Sequence, residues 1–473
     1  MTQNLDFMSA TELAARIRNG DVSPVDAVDA SLARIDEINP RLNAFCAVYA
    51  EEAREQARGA ERAVREGREL GLLHGVPIAF KDLTPMQGKV TTLGSRAYSS
   101  WVPDEDAVIV QAAKKAGAII VGKTTTPEFA YSSFTQSPLF GVTRNPWSAD
   151  RTPGGSSGGA AVAVATGCVS LAEGSDMGGS VRIPAALCGI VGLKPSLGRV
   201  PFTILPSVYD TLSHFGPLAR DCDDAALFLA ALQGPNDTDV MSLTERLDLP
   251  AKLDCDPARF RIAVSRNLGF YAVDPDVERN LLQVVAHLES LGAEIIEVEL
   301  PWTKDILTVW QDYWKVFMAA FFGHAYDAMA SELDPAVAKL IEQGRTISAV
   351  DYKRLEIPRT TWWHQLASIL KDCDFLLCPT MALPAPLATQ SDRDFGWTDD
   401  RGLHHGLDMT APFNLFGQCP VLSVPSGLSQ GGLPTAVQIV GRRNDDLSVL
   451  RLGNLIHEKV GRLVPPELPK VSG

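Results

Sequence analysis

Residues 154–184 read GGSSGGAAVAVATGCVSLAEGSDMGGSVRIP, with eight glycines and five serines gathered mainly at the two ends of one small-residue run. Glycine has no Cβ, so the first cluster, Gly154-Gly155-Ser156-Ser157-Gly158-Gly159, can take positive φ and lets other atoms come close. It reads as a tight loop. Residues 160–166 are almost all Ala and Val and stop at Gly167, a natural C′ residue, which predicts a short and fully buried helix. Residues 168–173 predict a buried strand. Met177-Gly178-Gly179-Ser180 leaves that strand as a run of backbone N–H groups with little side chain around them, the arrangement a developing oxyanion requires. Two serines, Ser156 and Ser180, thus emerge at two glycine turns around one strand.

A chain of 473 residues with 45% hydrophobic content can bury a large core. The net charge of −14 comes without any basic run, which argues against nucleic acid as a partner. Residues 1–6 are polar and acidic and not a signal sequence, and no apolar run approaches the roughly 20 residues of a membrane span. The expectation is a soluble cytoplasmic protein with no membrane partner. The eight cysteines are scattered without CxxC pairs or metal-ligand spacing, and read as reduced, mostly structural thiols.

Residues 1–68 read as N-terminal helices, with Ser9 before one and Ser23-Pro24 as N-cap and N1 of the next. From residue 73 the character changes. Residues 76–80 (VPIAF) predict a strand that carries Lys81, with Asp82 on its opposite face. A helix over 104–117 and a strand over 118–122 follow, the alternation of an α/β protein whose mostly parallel or mixed twisted sheet is covered by helices on both faces. The rhythm continues to residue 300, with strands at 261–264 and 293–298 around a helix at 274–291. It breaks over 301–372, which is helical and rich in aromatics, and resumes at 375–380 and 421–425. The whole chain, 1–473, reads as one domain: helices 1–68, an α/β core of 69–300 and 373–465, and a helical aromatic insertion 301–372 near a substrate cleft.

A serine hydroxyl is a poor nucleophile until a base removes its proton. One base would be a histidine, since Gly154-Gly155-Ser156-Ser157-Gly158 fits the G-x-S-x-G elbow of an α/β-hydrolase with a Ser-His-Asp triad. The residues before it, 146–153, contain two prolines and no strand pattern, which weakens that reading. The other base is Lys81. Neutrality at pH 7 costs a lysine about 4.6 kcal/mol from its ordinary pKa of about 10.4, which burial must supply. No GK[ST] or GxGxxG follows a strand and no HExxH is present, so neither a nucleotide cofactor nor a metal is implied.

Four stretches in consistent order, GVPIAFKD (75–82), PLFGVTRNPW (138–147), GGSSGG (154–159) and GSDMGGSVRIPAALCGIVGLKPS (174–196), resemble the amidase signature family. The resemblance implies Ser180 as nucleophile, Ser156 as bridging serine after a cis peptide bond, and Lys81 as base. It implies an oxyanion hole from the N–H groups of Met177, Gly178, Gly179 and Ser180. Family members often carry Thr where Ser175 stands. Asp176 and Arg182 read as a structural ion pair, Ser157 as the cap of the following helix or a hydrogen-bond donor near Ser156, and Lys194 as structural. Ser156, Ala130 and Tyr131 fall where the family lines its substrate pocket, and the small Ala130 beside an aromatic insertion implies small apolar or aryl amides. The implied activity is hydrolysis of a small-molecule amide to acid plus ammonia or amine through a seryl acyl-enzyme. The alternative is the glutaminase subunit of a tRNA-dependent amidotransferase, which shares the core. A homodimer is a family-level expectation.

Overall fold

The computed structural model describes residues 5–467, so residues 1–4 of the polar N-terminal stretch lie outside the description. Each serine-capped helix at the N-terminus forms where the capping residues place it. In α1 (Ala10–Asn19) the Ser9 hydroxyl accepts from the Glu12 N–H, and in α2 (Pro24–Leu42) Ser23 accepts from Val25. The short strand β1 (Phe45–Val48), which the periodicity of its surroundings hides, leads into α3 (Ala50–Arg65). Then come β2 (Pro77–Lys81), α4 (Val108–Lys115), β3 (Ile119–Thr124), α5 (Gly158–Ala165), β4 (Leu171–Asp176), α6 (Arg182–Cys188), β5 (Val191–Lys194), β6 (His214–Ala219) and α7 (Cys222–Leu232). Next are β7 (Arg261–Val264), α8 (Pro275–Ser290) and β8 (Glu294–Glu297), and the helices α9 (Asp305–Met329), α10 (Pro335–Thr346), α11 (Ala349–Arg354) and α12 (Glu356–Asp372). The chain closes with β9 (Phe375–Pro379), β10 (Val421–Leu428), β11 (Pro434–Gly441) and α13 (Asp446–Val460).

Eleven of these strands form one sheet in the order β1-β3-β2-β4-β6-β5-β10-β11-β9-β7-β8. It is mixed. β2 runs parallel to β3 and β4, and β7 parallel to β8 and β9, but every pair from β4 through β6, β5, β10 and β11 to β9 is antiparallel. The sheet is thus of the mixed kind, with antiparallel pairs running through its centre. β10 and β11 are joined by residues 429–433 alone.

Helices cover both faces. On β2, Ile78 and Phe80 belong to a core shared with α1, α4, α7 and α13, while Ala79 belongs to a second core shared with α2, α3 and α5. Period-2 alternation then sends the Lys81 side chain to the α5 side. Every residue of α5 is buried, and its small residues allow that: a Cβ at Gly159 would lie 2.5 Å from Ala44 O. All eight cysteines are free.

Candidate active site

Lys81 ends β2 fully buried. Its Nζ lies 2.6 Å from Ser156 Oγ and 2.9 Å from Ser175 Oγ. Ser175 sits near the end of β4, the strand beside β2 in the sheet, where Ile78 pairs with Leu171 and Ala79 with Ala172. Sheet register therefore brings the lysine to Ser175, and the turn before α5 brings Ser156. That turn contains a cis peptide bond between Gly155 and Ser156. It also comes so close to its neighbours that a Cβ at Gly155 would stand 2.5 Å from Ser132 O, so only glycine fits. Burial pulls the Lys81 ammonium down to about 7, against the pull of the Glu173 and Asp176 carboxylates.

Glu173, also fully buried, accepts the Lys81 backbone N–H at 2.9 Å and the Thr84 hydroxyl at 3.2 Å through Oε2. Burial pushes its carboxyl up. Neither Glu173 nor Ser175 is identifiable as a lysine neighbour without the strand pairing.

The second turn carries Ser180. Its carbonyl accepts the Ser157 N–H at 3.2 Å, which ties the two glycine turns together. Ser157 occupies the N-cap position of α5 without capping it: its hydroxyl instead donates to Ser175 O at 3.4 Å. Of the four N–H groups expected to face an oxyanion, Gly179 is already engaged, donating to Asp176 Oδ1 at 2.9 Å. Those of Met177, Gly178 and Ser180 have no acceptor among the described residues.

Asp176 organises this turn. Besides Gly179 it accepts the Val181 N–H at 3.2 Å, Arg182 Nε at 3.0 Å and Nη2 at 2.9 Å, and Asn414 Nδ2 at 2.9 Å. Burial pushes its carboxyl up, but the Arg182 guanidinium and the hydrogen bonds from Arg182 and Asn414 outweigh that and hold it well below the usual carboxylate range. Arg182 completes its fork on Thr410 O, Gln438 Oε1 and Asn414 Oδ1. Neither charge is exposed. Asp176→Asn is expected to cost about 3–5 kcal/mol in denaturant unfolding, because it leaves the Arg182 charge buried without its counter-ion. A loss below about 1 kcal/mol would show that neutral acceptors suffice.

Lys194 has three carbonyl acceptors, Pro195 O at 3.3 Å, Gly417 O at 3.4 Å and Cys419 O at 2.8 Å, and fastens β5 to the loop before β10. No histidine hydrogen-bonds Ser156 or Ser180 among the described residues. His214 bonds the carbonyls of Asp176 and Gly417 instead, and no strand precedes Ser156, so the geometry of a Ser-His-Asp elbow is absent there.

Ser156, Ser175 and Ser180 line one cavity of about 400 Å³. Its other walls are mostly apolar, including Leu83, Leu93, Phe129, Trp314, Phe317 and Phe322, with Tyr98, Asp176, Ser213 and His324 as further polar groups. The aromatics of the 301–372 segment divide: Trp314, Phe317, Phe321 and Phe322 of α9 face the cavity, while Trp302, Tyr313 and Trp362 fill a core. Ala130 lines the cavity, but Tyr131 does not. Phe129 and Ala130 have φ of 51° and 59°, and this left-handed bend carries Tyr131 to a second cavity of about 70 Å³, which Asp408 also lines and which shares Ala130, Met177, Ser180 and Trp314 with the first. Among the described residues no three His, Cys, Asp or Glu side chains are placed to hold a metal, and no helix is long and apolar enough to cross a membrane.

The model of the Amidase family matches residues 26–450. An acylamidase of Rhodococcus erythropolis is 36% identical, covering 95% of this chain and 94% of its own length. A glutamyl-tRNA(Gln) amidotransferase subunit of Roseiflexus sp. (strain RS-1) is 34% identical, over 95% of this chain and 96% of its own. Among solved structures, a bacterial aryl acylamidase of the amidase signature enzymes superposes with a TM-score of 0.90 at 29% identity, covering 96% of both chains. With a family model spanning most of its length and the fold shared throughout, the chain belongs to the amidase signature family and is an amide C–N hydrolase.

Proposed function

We propose that Ser180 is the nucleophile of a stand-alone amidase, Ser156 its proton bridge and Lys81 the base. The observation that carries this reading is the 2.6 Å contact between Ser156 and a fully buried Lys81. Lys81, neutral above about pH 7, takes the Ser156 proton as Ser156 takes that of Ser180, and Ser180 Oγ attacks the amide carbon. The N–H groups of Met177, Gly178 and Ser180 stabilise the oxyanion. Return of the proton through Ser156 to the nitrogen breaks the C–N bond and leaves the acyl-enzyme. A water deprotonated by the same relay then attacks the ester, and the acid departs as Ser180 regains its proton.

The apolar walls favour a substrate with a bulky apolar or aryl group. The second reading, the glutaminase component of an amidotransferase, is favoured by the amidotransferase relatives. Against it, the larger cavity is lined by no Lys or Arg among the described residues, so the α-carboxylate of glutamine would be buried there without a cationic partner. The same reading makes the enzyme cytoplasmic, with a small-molecule amide as ligand and a homodimer as the family-level expectation. The test is purified protein, alone, incubated with aliphatic amides, aryl amides and anilides while free amine is followed. Preference for aryl or bulky apolar members supports the reading. Preference for glutamine, or for short aliphatic amides, overturns the substrate class.

A further inference from the structure

Two peptide planes of the turn before Ser180 are held from outside the turn. Trp310, on α9, donates its indole N–H to Met177 O at 2.9 Å. Thr410, in the segment before β10, donates its hydroxyl to Gly178 O at 2.6 Å, with Asp408 Oδ1 a second and longer acceptor at 2.8 Å. Across a planar trans peptide the C=O and the following N–H point in opposite directions, so each carbonyl anchor also aims an N–H. With Gly178 O drawn to Thr410, the Gly179 N–H points to Asp176, where its 2.9 Å bond is found. With Met177 O drawn to Trp310, the Gly178 N–H points away from the indole, and it has no acceptor among the described residues. The indole also lies so close to the turn that a Cβ at Gly178 would stand 2.3 Å from Trp310 Cζ2, and Thr410 blocks Gly179 in the same way, its Oγ1 1.9 Å from a Cβ built there.

We infer that Trp310 and Thr410 are positioning residues of the oxyanion hole: Trp310 fixes the Met177 carbonyl so that the Gly178 N–H is presented, unpaired, to the tetrahedral intermediate, and Thr410 fixes the Gly178 carbonyl so that the next plane keeps its N–H on Asp176. This rests on the proposed role of the turn as oxyanion hole. The arrangement makes the aromatic helix α9 part of the chemistry and not only a cavity wall. Its role is visible in transition-state stabilisation: a donor that tilts away from the oxyanion costs little in the Michaelis complex and much once charge develops on oxygen.

The experiment uses the full chain and an aryl boronic acid as probe. Ser180 Oγ adds to boron, its proton passing to the Ser156–Lys81 relay, and the tetrahedral boronate places an oxygen where the oxyanion forms. For Trp310→Phe, which keeps an aromatic ring and loses the N–H, kcat is expected to fall about 10- to 100-fold and boronate affinity to weaken by a similar factor, with KM and the affinity of the carboxylic acid product within about twofold. Unchanged kcat and boronate affinity would overturn the inference, as would equal weakening of boronate and product acid, which reports general damage to the cavity. Should Trp310→Phe fail to fold, Thr410→Val and Thr410→Ser carry the test. The valine variant is expected to lose boronate affinity selectively and the serine variant, which keeps the hydroxyl, to recover it; equal behaviour of the two overturns the inference. If the wild-type enzyme itself binds no boronate while Ser180→Ala still turns over amide, the oxyanion reading fails first, and that outcome is distinct from either variant's.

Discussion

Ser180→Ala is expected to lower kcat on every amide the enzyme hydrolyses by a factor on the order of 10⁴ or more, leaving only the weak acceleration that binding and the oxyanion turn provide without a nucleophile. The side chain is available for this role because its hydroxyl has no hydrogen bond among the described residues, and it lines both cavities. Alanine should therefore leave the fold intact, since the bond that ties the turns together uses the Ser180 carbonyl, not its hydroxyl. The check is amine release by a variant whose thermal midpoint matches the wild type, together with intact-protein mass after rapid quenching, which should show an acyl adduct in the wild type and none in the variant. Residual turnover above about 1% would move the nucleophile elsewhere, with Ser156 the next candidate in reach of Lys81.

Lys81→Met is expected to cost about 10²- to 10⁴-fold in kcat, the range for removing a positioned general base. Lys81→Arg should be no better, because a guanidinium cannot give up its proton at any working pH. The pH profile carries the same logic. The neutral amine is the active form, so kcat/KM should rise with pH through a limb near 7, where burial places the group. A limb near the ordinary carboxylate range would assign the base to another residue. The sign for stability is also determined. The folded pKa lies below the unfolded one, so between about 7 and about 10 the unfolded chain binds the extra proton, and the contribution of Lys81 to stability rises with pH across that window and is at its least below 7. Lys81→Met should accordingly keep or raise the midpoint of thermal unfolding at pH 6 while losing activity, a separation that a merely structural lysine would not show.

Much of the site can be read along the chain because it is written in glycines. Gly155, Gly178 and Gly179 stand where another backbone or side chain comes too near for a Cβ, and Gly154 has a φ of 83°; such positions announce themselves without any knowledge of the neighbour. Lys81 is legible for a similar reason, as a charge at the end of an apolar run. What escapes is whatever depends on a partner far along the chain. Asn414 and Thr410 reach the 176–182 turn across more than two hundred residues, and nothing local marks them. Gly179 looks like an oxyanion donor from its place in a run of N–H groups, but the Asp176 carboxylate three residues earlier takes it. Tyr131 looks like a neighbour of the main pocket by adjacency to Ala130, and two successive left-handed residues turn it instead into the smaller cavity, which Ser180 also lines. The mixed sheet is obscured at β11, whose leading Pro434 and buried Gln438 disguise a strand that is buried throughout.

One spacing on α9 has a bearing on how such an enzyme changes its diet. Trp310, Trp314, Phe317 and Phe321 recur at three- and four-residue intervals and so share one stripe of the helix. At one end the stripe grips the turn that precedes Ser180; further along it walls the substrate cavity. Selection for a new amide therefore has a graded set of positions to work with on a single helix. Substitutions at 317 and 321 reshape what is admitted, those at 314 touch both cavities, and those at 310 disturb the rate for every substrate alike. A mutational library across this stripe should show tolerance increasing with each turn away from residue 310, and variants with altered acyl preference should come from its far end.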